Sequence, residues 1–137
     1  MQITLKRISG DFHFEARNEN NAHIELDASP NIGGTNKGFR PMETLLAGLA
    51  GCSSIDIVHI LKKQKIEVDD IKVEVKTERE VGIEPSLFTH IELVFHLFGA
   101  IEREKAERAV ALSLEKYCSV AKILEKTANI THQLKIN

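Results

Sequence analysis

Apolar and polar residues alternate along the first 26 positions. Ile3, Leu5 and Ile8 sit among polar neighbours, Phe12 and Phe14 flank His13, and Ile24 and Leu26 flank Glu25. This pattern predicts three short half-buried strands, with Gly10 and the run Asn18 to Asn21 as the turns between them. Ser29 to Arg40 is rich in Gly, Asn and Pro and reads as a loop of a length that often carries function. Pro41 then opens a helix at a favoured first-turn position, with Glu43 near the positive end of its dipole. Apolar residues at 45, 46, 49, 52, 55, 57, 58, 60 and 61 cover most of the helix circumference, so the helix is expected to be buried on nearly all sides. Gly48 and Gly51 lie inside it. Each costs about 1 kcal/mol against alanine, which points to tight packing on a neighbour.

The second half continues with Ile66 and Val68 and then with Ile71, Val73 and Val75 in alternation with Lys72 and Glu74, a half-buried strand. Pro85 marks a turn, Phe88 to Phe98 reads as a longer and more apolar strand, and Gly99 ends it. Glu102 to Lys116 predicts an amphipathic helix with Ala106, Ala109, Val110 and Leu114 inward. A short helix follows from about Ser119, and Ile130 to Ile136 closes the chain as a strand. The order β-β-β-α-β-β-α-α-β predicts an α+β fold with a mainly antiparallel sheet and a buried central helix. One sheet covers only one face of that helix, so a second copy of the chain is expected to cover the other, giving a homodimer.

Composition narrows the classes. The 137 residues are expected to form a single domain, 1–137. Eighteen basic against twenty acidic residues leave a net charge of −2, which gives no electrostatic footprint for nucleic acid. The amino terminus alternates and carries no long apolar run. The most apolar stretch, Leu45 to Leu61, contains Asp56 and His59. Neither a signal peptide nor a membrane span is therefore expected, and the default location is the cytoplasm.

The chemistry rests on two cysteines, Cys52 in the apolar helix and Cys118 at the junction of the last two helices. Ser119 is a good N-cap for the last helix, and a thiol just before it gains from the dipole, which lowers its pKa. One reading is a redox pair in which one sulfur becomes a sulfenic acid and the other condenses with it. The other reading is two small buried hydrophobes. A separation of 66 positions decides nothing between them.

The segment GFRPMETLLAGLAGCSSIDIV, with Pro41 eleven residues before Cys52, resembles the first cysteine motif of the OsmC/Ohr family (osmotically inducible protein C and organic hydroperoxide resistance proteins). SLEKYCSVAKILEKTANITH resembles the second motif, and PSLFTHIELVF resembles the strand before the last helices. PME and EKYCSVA resemble the YhfA-like subgroup. The resemblance runs along nearly the whole chain. It implies an OsmC-like fold, an intertwined homodimer with sites at the subunit interface, and a thiol peroxidase acting on organic hydroperoxides. Cys52 would be the peroxidatic thiol and Cys118 the resolving one. A small dithiol or lipoyl-type reductant would recycle the disulfide, with no cofactor and no metal. The family's peroxidases carry a glutamate directly after the motif proline, paired with an arginine that holds the thiolate. Here Met42 takes that position and Glu43 follows, and the arginine candidates are Arg17 and Arg40. The alternative on the same fold is a non-enzymatic protein that binds a small lipophilic molecule or regulates through its thiols.

Other groups read more plainly. His13, His23, His59, His90, His96 and His132 show no HxxxH or HxH pair for a metal. Asp56 and His59, three apart on the helix, could meet as a polar pair. EREKAER from Glu102 reads as a solvated helix face. Gly33, Gly34 and Thr35 lack the strand–loop–helix setting of a phosphate loop and are expected to cover a pocket mouth.

Overall fold

A computed structural model describes all residues from Met1 to Asn137. The chain divides into two compact units, Met1–Leu45 and Leu46–Asn137. The order of elements follows the sequence pattern.

The first unit is an antiparallel sheet of β1 (Thr4–Ser9), β2 (His13–Arg17) and β3 (His23–Leu26), in the order β1-β2-β3. Gly10, at φ 57°, supplies the left-handed turn between β1 and β2. His13 is buried and is bridged on both ring nitrogens, to Ser9 Oγ at 2.6 Å and to Glu25 Oε1 at 2.7 Å. It is therefore a structural histidine.

The segment after β3 is tied into a knot around Asp27. One carboxylate oxygen accepts from the Thr35 hydroxyl at 2.7 Å and from the Lys37 and Thr35 backbone N–H groups at 3.1 and 3.2 Å, and the other accepts from the Ala28 N–H at 2.8 Å. A single 3-10 turn, Pro30–Ile32, lies within this segment. Phe39 then lies against β3, its N–H donating to Glu25 O and its carbonyl accepting from Asp27 N–H, each at 2.9 Å. That approach is so close that a Cβ on Gly38 would stand 2.6 Å from the Glu25 carbonyl oxygen, and within the loop itself a Cβ on Gly34 would stand 1.7 Å from the Ala28 carbonyl oxygen. The loop walls an apolar cavity of about 450 Å³ together with Leu5, Phe12, Phe14 and Leu26.

Helix α1 runs from Pro41 to Lys63. Its first turn completes half of a capping box: Glu43 Oε1 accepts from the Arg40 backbone N–H at 2.7 Å. Only one stripe of α1 is buried, Leu49, Ser53, Ile57 and Leu61. These recur every four residues, the spacing of one helix face. The expectation of burial on nearly all sides is not met within one chain. Leu45 and Ile55 stand 43% and 71% exposed, and a Cβ on Gly48 or Gly51 would meet nothing within 4 Å. By length and composition alone α1 could cross a membrane, with a mean hydropathy of 1.6 over its most apolar window.

In the second unit β4 (Asp70–Arg79), β5 (Phe88–Phe98) and β6 (Asn129–Ile136) form a second sheet in the order β4-β5-β6. β4 pairs antiparallel with β5, but β6 pairs parallel to it. The strands form two sheets where one was expected, and three of the four strand pairs are antiparallel, as expected, with this pair the exception. The reason is the long connection: α2 (Arg103–Leu112), a π turn (Ser113–Tyr117) and α3 (Ser119–Leu124) intervene, and such a crossover returns the chain in the same direction. β5 is the central strand, which explains its near-continuous apolar run. Ile91, Leu93, Phe95 and Leu97 have no exposure and form the unit's core with Leu49, Ile57 and Leu61 of α1 and Ala106, Ala109 and Val110 of α2.

The Asp27 knot has a measurable acid limit. The Thr35 hydroxyl is the largest influence, opposed by burial and reinforced by the three N–H donors, and the carboxyl pKa falls from 3.8 to about 2. A depressed carboxyl stabilises the fold fully above its unfolded value and loses that contribution as pH falls through the folded one. Amide protection at Thr35 and Lys37, taken relative to the intrinsic exchange rate at each pH, is expected to hold down to pH 4 and to fall between pH 4 and about 2, ahead of the amides of β5.

Candidate active site

Two elements of the second unit build the site. In α1, Cys52 and Asp56 are four residues apart and so share a face. The π turn then delivers Cys118. Its closing bond, Cys118 N–H to Ser113 O at 2.7 Å, spans five residues. That single wide turn sets where the chain leaves the helix, and π turns are frequent at functional sites.

Cys52 Sγ, Cys118 Sγ and an Asp56 carboxylate oxygen all lie within 4.8 Å of one another. Both cysteines are free thiols, with Cys52 partly exposed and Cys118 buried. Ser113 is buried and donates its hydroxyl to Asp56 Oδ2 at 2.9 Å, with a longer contact to Ser53 O at 3.4 Å. Asp56 is thereby oriented by the π turn. It does not form the expected pair with His59, which is exposed. Asp56, His59, Ile60, Leu112 and Tyr117 also line an open cleft.

The N-cap of α3 is Cys118 itself. Its sulfur accepts the Ala121 N–H at 3.4 Å, the bond that Ser119 was expected to supply. The dipole argument also gives the wrong sign for this thiol. Burial is the dominant influence, a hydrogen bond with Cys52 acts the same way, and the neighbouring charges of Cys52 and Asp56 add to both. Together they outweigh the Ala121 N–H and push the Cys118 pKa up to about 11. Cys118 therefore holds its proton at neutral pH.

The other sequence candidates lie in the first unit, each with a partner there. Arg17 is paired with Glu15 and also reaches the Asn21 carbonyl. The Arg40 guanidinium bonds Asn36 and, at 3.4 Å, the Gly38 carbonyl. Glu43 is occupied by the helix cap described above. Both cysteines and Asp56 are legible in the sequence, but no motif joins Asp56 to the sulfurs and nothing in the linear chain marks Ser113. The i, i+4 spacing of Cys52 and Asp56 was the available signal. His90 and His96 bond Thr131 and Glu74 respectively, each at 2.8 Å.

The family model described as OsmC-like protein matches residues 34–133. The chain belongs to the OsmC-like family. This OsmC-like chain is 40% identical to Protein YhfA of Escherichia coli K12 over 137 residues, covering 99% of this chain and 98% of that protein. It matches the crystal structure of a hypothetical protein from Aquifex aeolicus VF5 at 33% identity and a TM-score of 0.80, over 99% and 96% of the two chains. The organic hydroperoxide resistance protein OhrB of Bacillus subtilis shares the fold at 23% identity and a TM-score of 0.67, over 98% and 96% of the chains.

The two thiols of this OsmC-like site should differ in reactivity. A thiol with a pKa of about 11 is ionised in only about one part in a thousand at pH 8. Brief treatment of the reduced protein with iodoacetamide at pH 8, read by peptide mass, is expected to label Cys52 well before Cys118. Equal labelling rates would show that burial does not protect the second sulfur.

Proposed function

We propose that this chain is a cysteine-based thiol peroxidase that reduces organic hydroperoxides. The observation that carries the reading is the contact between one partly exposed and one buried, protonated thiol beside a carboxylate. In the first step the Cys52 thiolate attacks the outer peroxide oxygen. The O–O bond breaks, the alcohol leaves with a proton, and Cys52 becomes a sulfenic acid. Cys118 then attacks that sulfur. The S–OH bond breaks, the thiol proton joins the departing hydroxide as water, and a Cys52–Cys118 disulfide forms. Asp56, held by Ser113, is the nearest base to carry that proton. A small dithiol or lipoyl-type reductant returns two electrons and two protons and restores both thiols. Membership of the OsmC-like family supports this chemistry, as does the fold shared with a protein named for organic hydroperoxide resistance.

The glutamate–arginine pair that the resemblance implies does not form within this chain, since the Glu43 side chain meets neither the Arg17 nor the Arg40 guanidinium. Met42 stands after the motif proline, and Glu43 caps α1. Thiolate stabilisation by Arg17 or Arg40 remains part of the proposal, with the cation supplied when the homodimer forms. The homodimer is supported by the apolar surface left open on α1, where Leu45 and Ile55 are exposed. On the first unit, Ile3, Leu5, Ile8 and Phe39 are exposed as well. Residues of this kind in such number mark an interaction face. We place the protein in the cytoplasm, where both cysteines stay reduced between turnovers. The second reading, binding of a small lipophilic molecule without catalysis, is favoured by one feature, the apolar cavity of the first unit.

The reduced protein, mixed with one equivalent of cumene hydroperoxide, is expected to lose both thiols rapidly and to gain an intramolecular Cys52–Cys118 disulfide by mass. Cys52→Ser should abolish turnover, and Cys118→Ser should stop at a sulfenic or overoxidised Cys52. Thiol loss no faster than that of free cysteine would overturn catalysis and favour the binding role. In light scattering the chain, 15.3 kDa, is expected at twice its mass; a stable monomer would remove the shared site.

A further inference from the structure

We infer that the reduced Cys52–Asp56–Cys118 cluster is a thiol-dependent binding site for a borderline-soft divalent cation such as Zn²⁺. This rests on the geometry of the reduced cluster and does not depend on the peroxidase reading. It also departs from the sequence expectation of no metal.

The donor set fits such a cation. Two sulfurs and one carboxylate oxygen lie within 4.8 Å of one another. In a tetrahedral zinc site, with Zn–S of about 2.3 Å and Zn–O of about 2.0–2.2 Å, ligand atoms stand roughly 3.5–3.8 Å apart. The longest of these separations therefore needs to shorten by no more than about 1.3 Å, and Cys52, which is only partly buried, leaves the cluster open to a fourth ligand from solvent.

The supporting shell is also present. Ser113 is fully buried and donates to Asp56 Oδ2 at 2.9 Å, leaving lone pairs of the carboxylate for a cation. Outer-shell hydrogen bonds of this kind orient a metal ligand and strengthen it. The Ala121 N–H, 3.4 Å from Cys118 Sγ, would hold that sulfur in place as a thiolate. Softness sets the choice of ion: two thiolates select Zn²⁺ or Cd²⁺ over Mg²⁺ or Ca²⁺, which prefer all-oxygen sites.

Binding would release the proton of each thiol that is protonated beforehand. The cation and the proton therefore compete, and affinity should fall by roughly one to two decades per pH unit on acidification below neutrality. The cation and a Cys52–Cys118 disulfide would also be mutually exclusive, because both use the same two sulfur electron pairs. A loaded site would keep both thiols from oxidation, and oxidation would expel the ion.

The test is a Cd²⁺ titration of the reduced, full-length protein at pH 7.5 under a phosphine reductant, followed by the ultraviolet sulfur-to-cadmium charge-transfer band. Zn²⁺ competition and calorimetry complete it. The expected result is one equivalent per chain with a thiolate band, displaced by Zn²⁺, and with proton release that depends on the buffer. Cys52→Ser should lose the site, and Cys118→Ser should weaken it at least a hundredfold. Asp56→Asn, which keeps the side chain's shape, should weaken it at least tenfold. No thiolate band at one equivalent would overturn the inference. Cation uptake that is equal in wild type and Cys52→Ser would do the same, since it would then belong to scattered histidines and carboxylates. No peroxide enters the titration, so its failure leaves the peroxidase reading intact, and an inert protein towards peroxide could still bind the cation.

Discussion

The site depends on keeping two thiols and a carboxylate in contact at the edge of a hydrophobic core. Three like groups of that kind repel when charged. The fold manages the conflict by burying one of them. Cys118 has no exposure and keeps its proton, so the cluster does not carry three negative charges at neutral pH. Cys52 stays partly open, and Asp56 accepts the Ser113 hydroxyl. The difference between the two sulfurs thus follows first from burial and then from the neighbouring Cys52 and Asp56 groups.

The elements that enforce this contact have other duties in the core. α1 contributes Leu49, Ile57 and Leu61 to the core on one stripe and presents Cys52 and Asp56 at its margin. The π turn carries both Ser113, which reaches α1, and the bond that positions Cys118. Cys118 then caps α3. Substituting this residue therefore removes a reactive group and a helix cap together, so loss of function at Cys118 alone is weaker evidence for chemistry than loss at Cys52.

The first unit follows a different logic. Its sheet buries little, and much of its apolar surface stays exposed. Order there comes from polar knots: His13 between Ser9 and Glu25, Asp27 among the loop amides, and Glu43 on the cap of α1. These explain why Asp27, Thr35, Gly34 and Gly38 stand where they do, a pattern that reads as mere loop composition in the linear chain. Arg17 and Arg40 are drawn into the same local bonding.

Local sequence determined the order and type of the elements, because period-2 and period-3.6 patterns are set by backbone geometry and need no distant partner. It also singled out Cys52 and Cys118, and the motifs around them placed the chain in its family. What it could not supply was anything decided by neighbours far along the chain. β6 runs parallel to β5 because of the crossover through α2 and α3, and only one stripe of α1 is covered within the chain. The Cys118 pKa rises where a helix-end argument lowers it, since desolvation depends on what surrounds the sulfur and outweighs one backbone N–H. Asp56 and Ser113 are 57 positions apart and join the cysteines only once tertiary packing brings α1 and the π turn together.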